Sequence, residues 1–170
     1  EDRTGTTVTF MPDDEIFRET TTFNYETLKT RTRELAFLNK GLRIILMDDR
    51  TGEKDTFVYE GGIKEFVAYV NKNKTPIHED IVYVEGMEND ISIEVALQYN
   101  DGYNATVYSF VNNIITPEGG THEDGVKLAL TRIINNYAKA NKILKDNDEP
   151  LSGDDVREGI TMIISAKVPE

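Results

Sequence analysis

Residues 80–115, DIVYVEGMENDISIEVALQYNDGYNATVYSFVNNII, contain three runs of β-branched and aromatic residues that are separated by polar turns. Such runs are typical of strands, and Asn100-Asp101-Gly102 between the second and third runs is a strong hairpin signal. We therefore predict an antiparallel sheet formed by these three strands. A further apolar run at 160–168, ITMIISAKV, predicts one more strand near the end of the chain.

The segments before this sheet predict two helices and a hairpin. Residues 24–39 place leucines at helical spacing, and residues 61–74 repeat that spacing with Ile, Phe and Val. Between these two segments, residues 49–52 form a turn-rich tip with an apolar run on each side, which predicts a two-stranded hairpin.

Two other segments complete the predicted order of elements. Val8 and Phe10 alternate with polar residues up to Pro12, which predicts a short strand. A long amphipathic helix is predicted over residues 120–145, followed by a short capped turn and the last strand. The order β-α-ββ-α and then βββ-α-β predicts the α+β class.

Composition narrows the classes of function. The 170 residues include no cysteine, which excludes disulfides, thiolate metal sites and cysteine nucleophiles. No secretory signal or membrane-spanning run is recognisable, so we expect a cytoplasmic protein with no membrane partner. The net charge of −12 opposes binding of nucleic acid by the chain as a whole, because such binding depends on Lys and Arg at phosphates.

The stretch GGTHEDG at 119–125 opens the long predicted helix. Its glycine pair could present backbone N–H groups to an anion, yet Glu123 and Asp124 already place negative charge at that helix start. A helix N-cap at Thr121 is the favoured interpretation. His122 and the two acids cannot converge on one metal ion, because adjacent helical residues diverge by about 100°.

The remaining polar candidates favour structural roles. His78 lies in a turn without a partner at ligand spacing, which predicts a loop histidine that faces solvent. Asp154 and Asp155 follow Ser152 in a first helical turn, where acids are favoured by the helix dipole. A small hydrolase that uses these carboxylates or Glu158 would lack a convergent partner.

Basic residues of the long predicted helix cluster on one side. The helical projection places them within an arc of about 140°, opposite an apolar face. They are Lys127, Arg132, Lys139, Lys142 and Lys145, and the apolar face comprises Val126, Leu130, Ile133, Ile134, Tyr137 and Leu144. Two interpretations stay open: an ordinary solvated face, or a surface that meets a polyanion such as DNA.

The sequence resembles a known family along its whole length. The matching motifs are TGTTVTF, RELAFLNKG, FVYEGGIKEFV, KTPIH, EVALQYNDGY, SFVNNI, EGGTHEDG, ALTRIINNYA and GDDVREG. Together and in this order they resemble the B subunits of bacterial DNA gyrase, which are type IIA topoisomerases. RELAFLN is closer to gyrase than to topoisomerase IV, whose B subunit is the alternative.

The resemblance implies a division of the chain and a role for two of its regions. Residues 1–60 resemble the C-terminal part of a GHKL ATPase domain, in which Thr6, after Gly5, would lie on the adenine side of ATP. Residues 61–170 resemble the transducer domain, which has the fold of ribosomal protein S5 domain 2. In the family the long helix lines a cavity for the transported DNA segment, and Lys127 matches a basic position that faces it.

Several functional groups of the family have no counterpart in these 170 residues. The general-base glutamate, the Mg²⁺-binding asparagine and the ATP lid precede the first motif, and a Gln-Thr-Lys loop follows the last strand. The resemblance therefore implies that ATP, Mg²⁺, DNA, the A subunit of gyrase and dimerisation of the B subunits on ATP binding belong to a longer parent enzyme. We expect the isolated chain to be inactive. A free-standing S5-like nucleic-acid-binding module is a further alternative.

Overall fold

The computed structural model describes residues 4–145 and 147–169, which form a mixed helix and sheet fold as predicted. The elements are α1 (Tyr25–Leu38), β1 (Ile44–Asp48), β2 (Glu53–Phe57), α2 (Ile63–Val70), β3 (Val82–Glu88), β4 (Ile91–Tyr99), β5 (Thr106–Val111), β6 (Ile114–Ile115), α3 (Thr121–Ala140), α4 (Gly153–Arg157) and β7 (Ile160–Lys167). The predicted helices at α1 and α2 and the β1–β2 hairpin are confirmed.

The main sheet has the strand order β3-β4-β7-β5-β6 and is mixed, because β5 and β7 run parallel. The predicted hairpin at Asn100-Asp101-Gly102 is therefore wrong. The apolar β7 is inserted between β4 and β5, and its residues from Ile160 to Ala166 are buried. The turn residues contact the start of β7 instead of joining β4 to β5 in a hairpin, and the Asn100 N–H donates to the carbonyl of Gly159 at 2.8 Å.

Helices cover both faces of this sheet. On one face α1 and α2 pack against Ala96, Phe110 and Ile163, and Phe37 stacks on Phe66 with ring centroids 4.8 Å apart. On the other face α3 packs against β4 and β7. Because alternate residues of a strand point to opposite faces, each central strand contributes to both cores.

The strand predicted around Val8 and Phe10 is wrong. Residues 4–24 form no helix or strand, and the side chains of Val8 and Phe10 are 74% and 67% exposed. Alternation alone does not make a strand, because its N–H and C=O groups need a paired neighbour. Within the described residues no segment pairs with this one.

Helix α3 ends at Ala140, five residues before the predicted end. Lys142 adopts a left-handed conformation with φ 58°, and the N–H of Ile143 donates to the carbonyl of Ala138 at 2.8 Å. This pattern is a Schellman stop. The predicted apolar face is also partly wrong, because Ile133 and Tyr137 are 61% and 63% exposed. In residues 4–145 and 147–169 no helix is long and apolar enough to cross a bilayer.

Candidate functional site

The start of α3 is set by a glycine pair. Gly119 has φ 74° and Gly120 has φ 152°. Gly120 occupies the N-cap position and has no side chain that could cap the helix. Thr121 is the first helical residue, so the prediction of Thr121 as the N-cap is wrong. Glycine permits this entry because side chains disfavour such positive φ values.

Glu123 and Lys127 form an ion pair on the inner side of α3. Lys127 Nζ lies 2.5 Å from Glu123 Oε1, and the two side chains are 28% and 13% exposed. The other carboxylate oxygen of Glu123 accepts a hydrogen bond from the Ser109 hydroxyl. Burial raises the pKa of Glu123, but the hydrogen bonds from Lys127 and Ser109 outweigh it, and the pKa is lower than usual.

His122 and Glu123 both contact the hydroxyl pair of Ser109 and Thr116. The Nε2 of His122 lies 3.2 Å from the Thr116 hydroxyl, which is itself 2.8 Å from the Ser109 hydroxyl. These hydroxyls link His122 to the hydrogen-bond network of Glu123. In the part of the chain that the structure describes, no three His, Asp or Glu side chains are grouped to hold a metal ion.

The basic residues predicted as one stripe occupy three different settings. Lys127 is paired and mostly buried, whereas Lys142 lies beyond the end of α3. Arg132 and Lys139 are exposed on the helix, about 10 Å apart along its axis, and within residues 4–145 and 147–169 neither has a carboxylate partner. Lys145 also follows the helix, so the outward basic surface of α3 consists of Arg132 and Lys139.

The segment that contains Thr6 does not enclose a nucleotide. Thr6 is exposed, and a Cβ built on Gly5 would meet no atom within 4 Å. The residues around it therefore offer one hydroxyl and no pocket wall. The described residues do not fit a bound ATP by themselves, and the role of Thr6 stays a prediction.

The structure corrects the environment of His78. This side chain is half-buried, and its Nε2 accepts the N–H of Tyr99 at 2.9 Å while its Nδ1 lies 2.7 Å from the carbonyl of Asp80. It therefore links a loop to β4, with Nε2 as the acceptor and Nδ1 beside a carbonyl. The predicted loop position is confirmed, whereas the prediction that the side chain faces solvent is wrong.

The acids near the end of the chain have the structural role that was predicted. The Ser152 hydroxyl accepts the N–H of Asp155 at 3.1 Å, and the Asp155 carboxylate accepts the N–H of Ser152 at 2.8 Å. Asp154 pairs with Arg157. These contacts form a capping box at the start of α4.

Sequence reasoning missed the contacts that Glu123 makes with Lys127 and Ser109. The pair of Glu123 and Lys127 has the i, i+4 spacing of a helical ion pair, so the sequence did contain a signal for it. Ser109 gave no such signal, because it comes close to Glu123 only when β5 and α3 pack together. A long-range contact of this kind needs the fold.

Comparisons with known proteins give one consistent result. The sequence model of the family described as DNA gyrase B matches residues 62–170. The chain is 57% identical over 169 residues to the DNA gyrase B subunit of Bacillus mycoides, covering 99% of this chain and 42% of that relative. It is 54% identical over 170 residues to that of Halalkalibacterium halodurans, covering 99% of this chain and 27% of the relative.

A solved structure agrees with these relatives. The fold matches the 43K ATPase domain of Thermus thermophilus gyrase B, solved in complex with an aminocoumarin, with a TM-score of 0.81 and 31% identity. The match covers 94% of this chain and 43% of that one. The chain therefore spans less than half of the length of each of these three proteins.

Proposed function

Because this chain belongs to the DNA gyrase B family, we propose that it is the part of an ATP-dependent type IIA topoisomerase that couples the nucleotide state to DNA strand passage. Residues 61–170 act as the transducer, and residues 1–60 end the GHKL ATPase domain. In this proposal the parent enzyme works with the A subunit of gyrase, uses ATP and Mg²⁺, and dimerises through its B subunits when ATP binds. Its product is negatively supercoiled DNA.

The chain's own contribution to nucleotide chemistry is small in this proposal. The Thr6 hydroxyl can supply about one hydrogen bond, worth roughly 0.5–1.5 kcal/mol net. Hydrolysis also requires an acid or base that positions and activates water, and that group belongs to other parts of the parent enzyme. The 170-residue chain by itself is expected to hydrolyse no ATP above background.

The contact with DNA is proposed for the exposed side of α3. The observation that carries it is the pair of exposed cations, Arg132 and Lys139, which have no carboxylate partner among the described residues of a chain with net charge −12. Cations of this kind attract phosphates without reading sequence, as strand passage of any DNA segment requires. Their pull weakens as salt rises.

A double charge reversal in the full-length enzyme tests this proposal. Arg132→Glu together with Lys139→Glu should reduce the stimulation of ATPase by DNA severalfold and slow supercoiling, because two attractive charges become repulsive. ATP hydrolysis without DNA should stay near the parent rate.

The matched control reverses Arg43 and Lys54, which are exposed cations away from α3. It should leave DNA stimulation near the parent value. Unchanged supercoiling by the α3 variant at low salt, where electrostatic attraction is strongest, would reject a DNA-facing role for this helix.

A further inference from the structure

The geometry at the start of α3 points to a mask: we propose that Glu123 holds the Lys127 ammonium away from DNA and so limits how strongly this end of the helix attracts phosphates. This inference rests on the proposed function, because it concerns the same helix. It makes Glu123 a positioning residue that acts on DNA through Lys127.

The first support is the burial of the pair. Lys127 Nζ contacts Glu123 Oε1, and only 28% and 13% of the two side chains are exposed. Arg157 and Asp154 offer a contrast in the carboxylate, since Asp154 is 98% exposed whereas Arg157 is 22% exposed, much like Lys127. In an exposed ion pair, water readily replaces one partner and the pair contributes little to stability. A mostly buried pair is harder to separate, because the carboxylate would remain buried without its cation.

The second support is the anchor of the carboxylate. Glu123 Oε2 accepts the hydroxyl of Ser109, a β5 residue that is 2% exposed. The Ser109 hydroxyl also lies 2.8 Å from that of Thr116. Glu123 is therefore fixed to the sheet and cannot follow Lys127 outward. A Lys127 side chain that turned to a phosphate would leave a mostly buried carboxylate without its cation, which is costly.

The ion pair reduces the positive charge that Lys127 presents to DNA. Lys127 belongs to the basic residues of α3, but its charge is neutralised by a carboxylate one helical turn away. Removal of the negative charge with preserved side-chain shape should release the ammonium. One additional phosphate contact then becomes available to DNA.

Glu123→Gln in the full-length protein, assembled with the A subunit of gyrase, tests the mask. A linear duplex DNA of random sequence serves as the probe, and ATPase is followed against DNA concentration at several salt concentrations. The half-stimulating DNA concentration should fall severalfold at low salt. The slope of log affinity against log salt should steepen by about 0.9, the value for one phosphate contact.

Asp124→Asn is the matched control, because it removes the same charge from the same helix start at an exposed residue next in sequence. If it tightens DNA binding as much as Glu123→Gln, the effect is one of net charge and the mask is overturned. A Lys127→Gln background gives the second check, since Glu123→Gln should there add nothing.

The two proposals fail differently. If reversal of Arg132 and Lys139 weakens DNA stimulation but Glu123→Gln behaves like Asp124→Asn, the DNA-facing helix stands and the mask is refuted. If that reversal has no effect, the DNA-facing role of the outward pair fails on its own test. Glu123→Met, which keeps an unbranched side chain without the charge, should tighten DNA binding like Glu123→Gln, and a melting curve of each variant verifies that it is folded.

Discussion

At the level of single residues, the Asp48 carboxylate makes the stability of the fold depend on pH. The Arg50 side chain donates to both of its oxygens, at 2.9 and 2.6 Å, and the Arg50 N–H adds a third bond. These hydrogen bonds lower the pKa of Asp48 from 3.8 to about 2. A carboxylate with a lowered folded-state pKa stabilises the fold above its unfolded pKa, and this stabilisation is lost as pH falls toward the folded value.

Asp48→Asn should therefore lower the melting temperature of the chain at pH 6 and have a smaller effect at pH 3. Thermal melts by circular dichroism across this range measure the difference between the two proteins. Asp49→Asn is the control, because Asp49 is an exposed neighbour in the same turn. If Asp48→Asn lowers the melting temperature equally at pH 6 and pH 3, the ionised carboxylate contributes no stability through Arg50.

At the level of helices and strands, alanine substitutions at two glycines should change the free energy of unfolding in opposite directions. A Cβ on Gly159, which has φ 69°, would lie 2.5 Å from the carbonyl oxygen of Asn100 and 2.7 Å from that of Gly102. Both atoms are backbone and belong to the loop that follows β4. Gly125 lies inside α3, and a Cβ there would meet nothing within 4 Å.

Gly159→Ala should lower the free energy of unfolding by more than about 2 kcal/mol, from the clash and the strained backbone together. Gly125→Ala should raise it by about 0.5–1 kcal/mol, because alanine restricts the unfolded chain and favours the helix. Urea unfolding of the two variants measures both changes. Equal effects of the two substitutions would contradict the close approach between the loop and the start of β7.

The elements also show which features can be predicted from the sequence. Periodicity predicts α1 and α2 because it reports which side of a helix is buried, and that information is local. The insertion of β7 between β4 and β5 depends on contacts between segments far apart in the chain, so no local turn signal contains it. The end of α3 escaped prediction because Lys142 takes the left-handed position that glycine usually occupies.

In the candidate site, too, the local pattern can be predicted from the sequence, whereas the long-range contacts cannot. Basic residues at helical spacing can be found in the sequence, but their exposure depends on how far α3 is rotated against the sheet. That rotation places Lys127, together with its i, i+4 partner Glu123, on the side that is partly buried, and it leaves Arg132 and Lys139 exposed. The predicted stripe therefore combined two exposed cations of α3 with a lysine whose charge is paired with Glu123, and contact of this helix with DNA stays a prediction.

For the molecule as a whole, the distribution of charge matters more for contact with DNA than the net charge does. A net charge of −12 repels DNA over long distances, so in the proposed function contact with phosphates is local and depends on the parent enzyme to bring DNA to α3. The proposed DNA-facing helix is compatible with an acidic chain on this basis. We propose that a transported DNA segment passes close to the outward side of α3.

Site-specific crosslinking measures that position directly. The chain contains no cysteine, so Lys139→Cys places a single thiol on the outward side of α3 within this region of the enzyme. The full-length enzyme is mixed with DNA that carries thiol-reactive groups on its phosphates, with and without a non-hydrolysable ATP analogue. Lys54→Cys, on β2 and away from α3, serves as the control.

We predict that the Lys139→Cys enzyme forms a covalent DNA adduct that depends on the ATP analogue, and that the Lys54→Cys enzyme forms little adduct. Equal labelling of the two variants, or no adduct on the Lys139→Cys enzyme under conditions in which it supercoils DNA, would contradict the passage of DNA along this side of α3.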